Sequence, residues 1–485
     1  MNVSPVPRPW GALRLVSPVL CLGLLVGCQT YSPIPLDLSR HSADLGDRLA
    51  TEESIRAFSQ RLEADHPDRS QDLDLTDGID AAEAEVIALF YNPDLRLARL
   101  RAGIALANAE NAGLWEDPVF GFDGAELLSP SGPFEFGLNL SLTIPVSGVL
   151  EVEQDRANAL YDAQWWRVLG AEWSMRTQVR DAWANWATAN ERLALVNEIV
   201  QAVEGIGVIS SRLEDAGELT RLEARLFQAQ HATARMDRGF AEAEAEKARL
   251  DIVALMGLSP DSAVSLVPST IESDIPDGAN DIERLIQTNT DLAVLRADYQ
   301  SAEETLRLEV RKQYPDIEIG AGLGSEDDDD RLLLGAAIPL PVFNANRGGI
   351  AEARANRELA RAAAETEFVR LAFQLKSTRA RLVSVQQRRK ILEQELVPML
   401  DEQAEDIDRL AGLGEFDTFI LLETVNRRFE AKNQILALHL QELQGRIEII
   451  RLLGPAVTPQ PALISDRKTQ STKNGSNDIA EGVSP

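Results

Sequence analysis

The chain has 485 residues, 44% of them hydrophobic and 26% charged, with a formal net charge of −29 at pH 7. That acidity excludes DNA and RNA as natural partners, because phosphate backbones are held by basic faces. The length suits two or three ordinary domains or one large repeated one, and 5% aromatic content beside abundant Ala, Leu, Glu and Arg favours helix.

Arg8 and Arg14 precede an apolar stretch from Leu15 to Gly27, broken only by Ser17 and Pro18. Residues 1–27 therefore read as a secretory signal peptide. Its end, Leu25-Val26-Gly27-Cys28, resembles the bacterial lipobox. The resemblance implies thioether diacylation of Cys28 and cleavage before it, and Gln29 in place of Asp points to the outer membrane. Cys21 leaves with the signal and Cys28 carries lipid, so no disulfide or thiol chemistry is expected. No later run holds the ~18 uninterrupted apolar residues of a membrane helix, so a chain that spans a membrane must do so with strands.

Residues 28–78 read as a lipid-anchored extension with one short helix, and a helical stretch follows from about Ala81 to Gly113. The period then changes. Val119–Asp123 is a short strand, and between Phe134 and Ile144 every even position is apolar and every odd one polar or Gly. Helix is predicted from about Val149 to Asp215, ending at Gly217-Glu218-Leu219, with a return helix to Gly257. The same order recurs. Ile317, Ile319, Ala321 and Leu323 alternate with Glu and Gly, and Leu332, Leu334, Ala336, Ile338, Leu340 and Val342 mark the next strand. Helix is then expected from Gly348 to Leu410, bent at Pro398, with a turn at Gly414 and a return helix to Gly454. Residues 456–485, rich in Pro, Ser, Thr and Asn, read as a disordered tail.

Residues 79–262 and 280–455 are thus two versions of one unit, offset by 197 positions. Asn92-Pro93-Asp94-Leu95 recurs as Asn289-Thr290-Asp291-Leu292, Pro118 as Pro315, Gly217-Glu218 as Gly414-Glu415, and Gly257 as Gly454. Each alternating strand is close to the ~9–11 residues that cross a bilayer when tilted. Strands survive in lipid only in a closed barrel, and the smallest single-chain barrels have about eight. A chain with four must share its barrel with other copies. The Ala-rich helices, about 100 Å long at 1.5 Å per residue, can extend such a barrel as a tube.

Over residues 80–455 the chain resembles the TolC-type outer-membrane efflux channels. The most specific stretch is Ile338-Pro339-Leu340-Pro341-Val342-Phe343-Asn344-Ala345-Asn346-Arg347-Gly348-Gly349-Ile350, which looks like that family's strand-to-helix crossing; Ile144-Pro145-Val146-Ser147-Gly148 is a degenerate counterpart. The resemblance implies a mainly α protein with membrane β-strands: a homotrimer whose twelve-stranded barrel continues into a periplasmic α-helical barrel. It also implies a passive exit duct in a tripartite system, with a periplasmic membrane-fusion adaptor and an inner-membrane pump of the proton-driven RND type. Gly217, Glu218, Leu219 and Thr220, with Gly414, Glu415, Phe416 and Asp417, would then face the adaptor. Of the two carboxylate positions with which the family closes its tunnel, Glu423 matches and Ile420 departs.

Glu326–Asp330 lacks the spaced ligands and glycine of an EF-hand, and His41, His66, His231 and His439 show no ligand spacing. No phosphate loop or nucleophile–base arrangement is present, so no catalytic residue, metal or cofactor is expected and energy must come from a partner. The competing reading is a lipid-anchored coiled-coil adaptor or scaffold without a pore.

Overall fold

The computed structural model describes residues 31–48, 52–65, 75, 77–125, 134–269, 271, 274–326, 329–412 and 418–455. The chain divides into two units, Met1–Ala50 and Thr51–Pro485. In the first, α1 (Leu38–Gly46) starts at Asp37, whose carboxylate accepts the Arg40 amide at 3.0 Å. The other elements below belong to the second unit.

Its lead-in holds α2 (Glu52–Asp65), so the N-terminal extension has two helices where one was expected. The stretch predicted as one helix from Ala81 to Gly113 is two, α3 (Ala81–Tyr91) and α4 (Pro93–Glu110). Pro93 cannot continue the preceding helix but suits the first turn of the next, and Asn92 caps it by accepting the Asp94 and Leu95 amides. Strands β1 (Val119–Ala125) and β2 (Glu135–Ile144) lead into α5 (Val149–Asp215), followed by α6 (Arg221–Leu255). The second half repeats this with α7 (Asp281–Thr288), α8 (Thr290–Arg311), β3 (Ile317–Glu326), β4 (Asp329–Ala337), α9 (Arg347–Ile391), α10 (Val397–Gly412) and α11 (Thr418–Leu453).

Two further differences from expectation have local causes. β4 stops at Ala337 although the alternation runs on to Val342, because Pro339 and Pro341 supply no amide for a ladder. The second long helix does not simply bend at Pro398. It opens into a π-turn at Leu392–Leu396, just before the proline, where widening accommodates the missing amide and the ring.

The four strands form one antiparallel sheet in chain order, with β2 and β3 joining the two halves. The helices lie side by side. Nearer the sheet the row runs α4, α5, α8, α9; farther away it runs α6, α5, α11, then α9 and α10. Leu285, Leu371, Leu375, Ile449 and Leu452 knit the middle, and Val196, Val200, Val203, Ala234 and Ala241 the distal part. One window of α5 is apolar enough by composition to cross a membrane, but only a third of it is buried in the chain and the helix is 67 residues long.

Candidate functional site

The strand register sorts the sheet into two unlike faces. Directly paired residues share a face, so Phe120, Phe122, Phe136, Leu138, Leu140, Leu142, Ile144, Ile317, Ile319, Ala321, Leu323, Leu332, Leu334 and Ala336 lie together. The other face carries Gly121, Gly137, Gly320, Gly322, Gly324 and Gly335, with Asp123, Glu135, Asn139, Ser141, Thr143, Glu318 and Arg331. Phe120, Phe122, Leu140, Leu323 and Leu334 are exposed, and no second apolar layer covers them among the described residues. Val119 and Leu333 also lie on the other face, opposite Ser141 and Gly322. A sheet with one continuous apolar face and a back mostly of glycine and polar residues nonetheless suits the wall of a water-filled barrel in lipid.

At the crossing after β4 the backbone turns sharply. Ala345 and Asn346 both take positive φ, 46° and 51°. Asn346 is held there by its amide, which donates to the Glu309 carbonyl at 2.9 Å and to Glu309 Oε2 at 2.7 Å. Gly349 permits this approach, since a Cβ there would strike Glu309 Oε2 and lie 2.7 Å from Asn346 Oδ1. The Asn346 bond, and then that from Lys312, hold the Glu309 carboxyl below its ordinary pKa. The counterpart after β2 is built differently: the Ser147 amide donates to Asp316 Oδ1 at 3.1 Å, and Gly148 takes φ 71°.

A buried clasp repeats where the helical pairs begin and end. Asn92 donates from Nδ2 to the Leu255 carbonyl at 2.9 Å; Asn289 does the same to the Leu452 carbonyl at 2.8 Å, and its Oδ1 accepts the Leu292 amide. Both pairs stand at the 197-residue offset. The clasp satisfies a donor at one helix start and an acceptor at another helix end, two of the groups that helix termini leave orphaned. Sequence reading found the asparagines as repeat markers but missed this role, because the partners are backbone carbonyls 163 residues away.

At the far end, the first tip turn is a Schellman motif. Glu218 donates its amide to the Leu213 carbonyl at 2.9 Å, Gly217 to Glu214 at 3.0 Å, and Gly217 takes φ 79°. Thr220 and Glu223 then form a capping box, which holds the Glu223 carboxyl below its ordinary pKa. Gly217, Thr220 and the Glu218 amide thus have turn duties, while the Glu218 side chain is exposed and Leu219 half-buried. Leu222 and Leu226, also exposed beside the turn, were not singled out from sequence. Gly414, Glu415, Phe416, Asp417 and Cys28 lie outside the described residues.

Glu423 is exposed on α11 and bonded to Arg427, Oε1 to Nε 2.6 Å. Ile420, one turn earlier, is also exposed. Higher up, α5, α6, α9 and α11 each contribute a polar stripe to one groove of about 1150 Å³. Its charges are mostly paired: Arg192 with Glu244 (2.8 Å), Lys247 with Asp251 (2.8 Å) and Arg451 with Glu448 (2.7 Å). Burial pushes the Asp181 carboxyl in its wall above the ordinary value, against hydrogen bonds from Gln444 and Asn185.

Sheet and helices together define one stave of a channel that crosses a membrane as strands and continues as helices. The sequence profile of the outer membrane efflux protein family matches residues 86–258 and 282–455, well over half of the chain. The chain belongs to that family: it is an outer membrane channel subunit of the kind that serves tripartite efflux. It is 23% identical over 299 residues to the cobalt-zinc-cadmium resistance protein CzcC of Cupriavidus metallidurans, covering 59% of this chain and 69% of the relative. Among solved structures, CusC superposes with a TM-score of 0.67 at 16% identity, over 80% of this chain and 95% of that one. The CmeC outer membrane channel of Campylobacter jejuni gives 0.68 at 15%, over 81% and 90%.

Proposed function

We propose that three copies close head to tail into a passive export duct, each using one side of its stave against the opposite side of the next. The observation that carries this is a match between unpartnered edges. β1 and β4 each have one unpaired ladder edge, which cannot face lipid. The helical rows end on the corresponding sides. On α9, Ala355, Leu359, Ala362, Thr366, Val369, Phe373, Lys376, Ala380 and Val383 recur at alternating spacings of four and three, all exposed. At the other end the same spacing marks Leu97, Leu100, Ile104 and Ala107 on α4, and Leu222, Leu226, Ala229, Thr233, Met236, Phe240 and Ala243 on α6, again all exposed. Unlike surfaces at the two ends give a heterologous contact, which makes a ring when the rotation closes.

Heights agree as well. Leu255, clasped to Asn92, lines the same groove as Thr378 and Leu382. Leu100 lies eight residues, about 12 Å, above Asn92, and Phe373 stands at a similar height above the groove. With Leu100→Cys and Phe373→Cys in one chain, oxidation in native membranes should give a cross-linked trimer. A chain that stays monomeric by mass in mild detergent would overturn the reading.

Within that duct Cys28 carries the lipid anchor in the outer membrane. The tip residues around Gly217 and Gly414 meet a periplasmic adaptor: in the first turn Glu218 and Leu219 carry more of the contact than the turn-forming Gly217 and Thr220, and in the second the docking residues are Gly414, Glu415, Phe416 and Asp417. An inner-membrane pump of the proton-driven RND type supplies the energy. Glu423 stands at the narrow end as a gate carboxylate, tempered by Arg427. Glu423→Ala should raise single-channel conductance in planar bilayers if the gate is there. The name of the Cupriavidus relative favours divalent metal ions as cargo; unchanged cobalt, zinc and cadmium tolerance after deletion would count against it.

A further inference from the structure

The four strands meet their helices at one end of the sheet, and the two repeats give that rim opposite charge. In the second repeat, residues 307–316 before β3 and 343–354 after β4 hold five cations against three acids, Glu309, Asp316 and Glu352. The same repeat positions of the first, 110–119 and 145–156, hold six acids and one cation, Arg156. In a chain of net charge −29, a positive rim beside one hairpin runs against the composition.

Pairing leaves most of that positive charge free. Arg307 and Lys312 are bonded to Glu304 and Glu309, each at 2.6 Å, and Asp316 accepts the Ser147 amide. Arg311, Arg347 and Arg354 are exposed, and their guanidinium groups have no partner among the described residues. Glu352 stands one heptad before Leu359, on the free edge of the stave. The bonds from Asn346 to Glu309 bring the start of α9 against the last turn of α8. Arg347 follows Asn346 directly and Arg311 follows Glu309 by two residues, so both belong to one patch.

The patch faces outward. The large groove walled by α5, α6, α9 and α11 is the concave side of the row, which is the bore. α9 turns Thr378 and Arg381 to it, but Ala372, Lys376 and Arg379 to α7, so α7 lies on the outer side. Arg296, Tyr299 and Glu303 form one stripe of α8, and Arg296 reaches the Ile286 carbonyl of α7. Over that same stripe lie Arg361, 5.9 Å from the Tyr299 ring, and Arg357, 3.6 Å from Glu303. Arg354 and Arg347 precede Arg361 by one and two heptads, and heptad mates keep one face in helices that supercoil together. At the same rim Phe343 is 94% exposed and Tyr314 57%, next to the apolar row Ile338, Leu340 and Val342 that continues the lipid-facing side of β4. Exposed aromatic rings at the end of membrane strands settle at headgroup level.

We propose that this outer rim beside β3 and β4 binds the headgroup of an anionic phospholipid in the periplasmic leaflet. Arg311 and Arg347 donate to the phosphate oxygens, and Tyr314 and Phe343 stand at the boundary with the acyl chains. Arg354, seven residues or about 10 Å further from the membrane, adds to the field. A net negative headgroup is favoured over a zwitterionic one because the patch offers its ammonium no free carboxylate. The acidic rim of the first repeat repels the same headgroup, so each subunit binds on one side only. The proposal rests on the strands lying in the membrane and not on how many copies close the barrel.

The full-length lipoprotein in dodecyl maltoside can be titrated with dioleoyl phosphatidylglycerol labelled on one acyl chain, with phosphatidylethanolamine labelled alike as reference. At about fivefold for each cation near an anionic surface, two cations give phosphatidylglycerol a preference of about 25-fold. Arg311→Gln with Arg347→Gln should abolish it, and the same pair changed to Lys should keep most of it. Arg381→Gln removes another unpartnered cation, on the bore side, and should leave the preference as it was. Equal affinity for the two lipids in the parent chain would overturn the proposal, and so would a preference that survives the double Gln variant. Displacement of the labelled lipid by millimolar inorganic phosphate would make this a simple anion site and overturn the lipid assignment.

Discussion

Replacing Asn289 by Ala tests whether one buried side chain holds two helix ends together. Asn289 is 1% exposed and makes two hydrogen bonds that alanine cannot, accepting the Leu292 amide at 2.9 Å and donating to the Leu452 carbonyl at 2.8 Å. Loss of the cap costs about 1 kcal/mol. The Leu452 carbonyl, left without this donor in a buried place, adds about 1–3 kcal/mol. The sum, about 2–4 kcal/mol, corresponds to a rise in local opening of roughly 30- to 1,000-fold at 1.4 kcal/mol per decade. Amide hydrogen exchange of the detergent-solubilised protein reads this directly. Protection should fall together at the start of α8, around Leu292, and at the end of α11, around Leu453. Asn289→Asp keeps the acceptor but loses the donor, so it should loosen the α11 end more than the α8 start. The far clasp at Asn92 should keep its own protection, as distant sites behave additively. Unchanged exchange at both ends in Asn289→Ala, or loss at α8 only, would refute the clasp.

Three other outcomes are expected. Gly348→Ala should be neutral or stabilising by up to ~1 kcal/mol, since nothing lies near its Cβ, whereas Gly349→Ala should destabilise the crossing and recover in part with Glu309→Ala; thermal dissociation of the assembly compares them. The Glu309 carboxyl has a depressed folded pKa, so its stabilisation is complete above the unfolded value, about 4.3, and is lost as pH falls through the lower folded value. Limited proteolysis at residues 344–350 should therefore quicken on acidification in the parent chain and show no such dependence in Glu309→Gln. Arg427→Ala should leave Glu423 uncompensated and raise cation over anion permeability in bilayers, an effect that shrinks at 1 M salt, where the Debye length is about 3 Å.

The architecture was readable in the sequence because its signals are periodic and long. Strict alternation from Phe134 to Ile144 has one structural meaning, and the helix predicted from Val149 to Asp215 has those limits in the structure, where Gly148 and Gly217 stop it at both ends. Legibility failed where a distant group decides the local conformation. Pro93 marks the break between α3 and α4 in the sequence, but the anchoring of Asn92 to the Leu255 carbonyl, 163 residues away, leaves no local sign. The π-turn at Leu392–Leu396 leaves no mark in apolar spacing, and Pro398 gives its neighbourhood but not its form. Among the proposed site residues, Glu423 was singled out through the family resemblance, by its charge at one of the two gate positions. Arg427, one helical turn away, changes what that charge can do, and only the bond between them reveals it.

The glycines on the inner face of the sheet set how wide the opening is. Where a wall presents hydrogen in place of side chains, the bore is limited by the backbone, and few strands enclose the largest possible hole. Asp123 and Asn139 already lean across Gly137 and Gly121 and occupy that space. Gly320 and Gly335, directly paired, are different: a Cβ at the second meets nothing within 4 Å, and at the first nothing closer than 3.6 Å. Calibre is therefore adjustable at this one pair without touching the lipid-facing surface. A chain under selection for a narrower cargo could change its sieve there while keeping its fold.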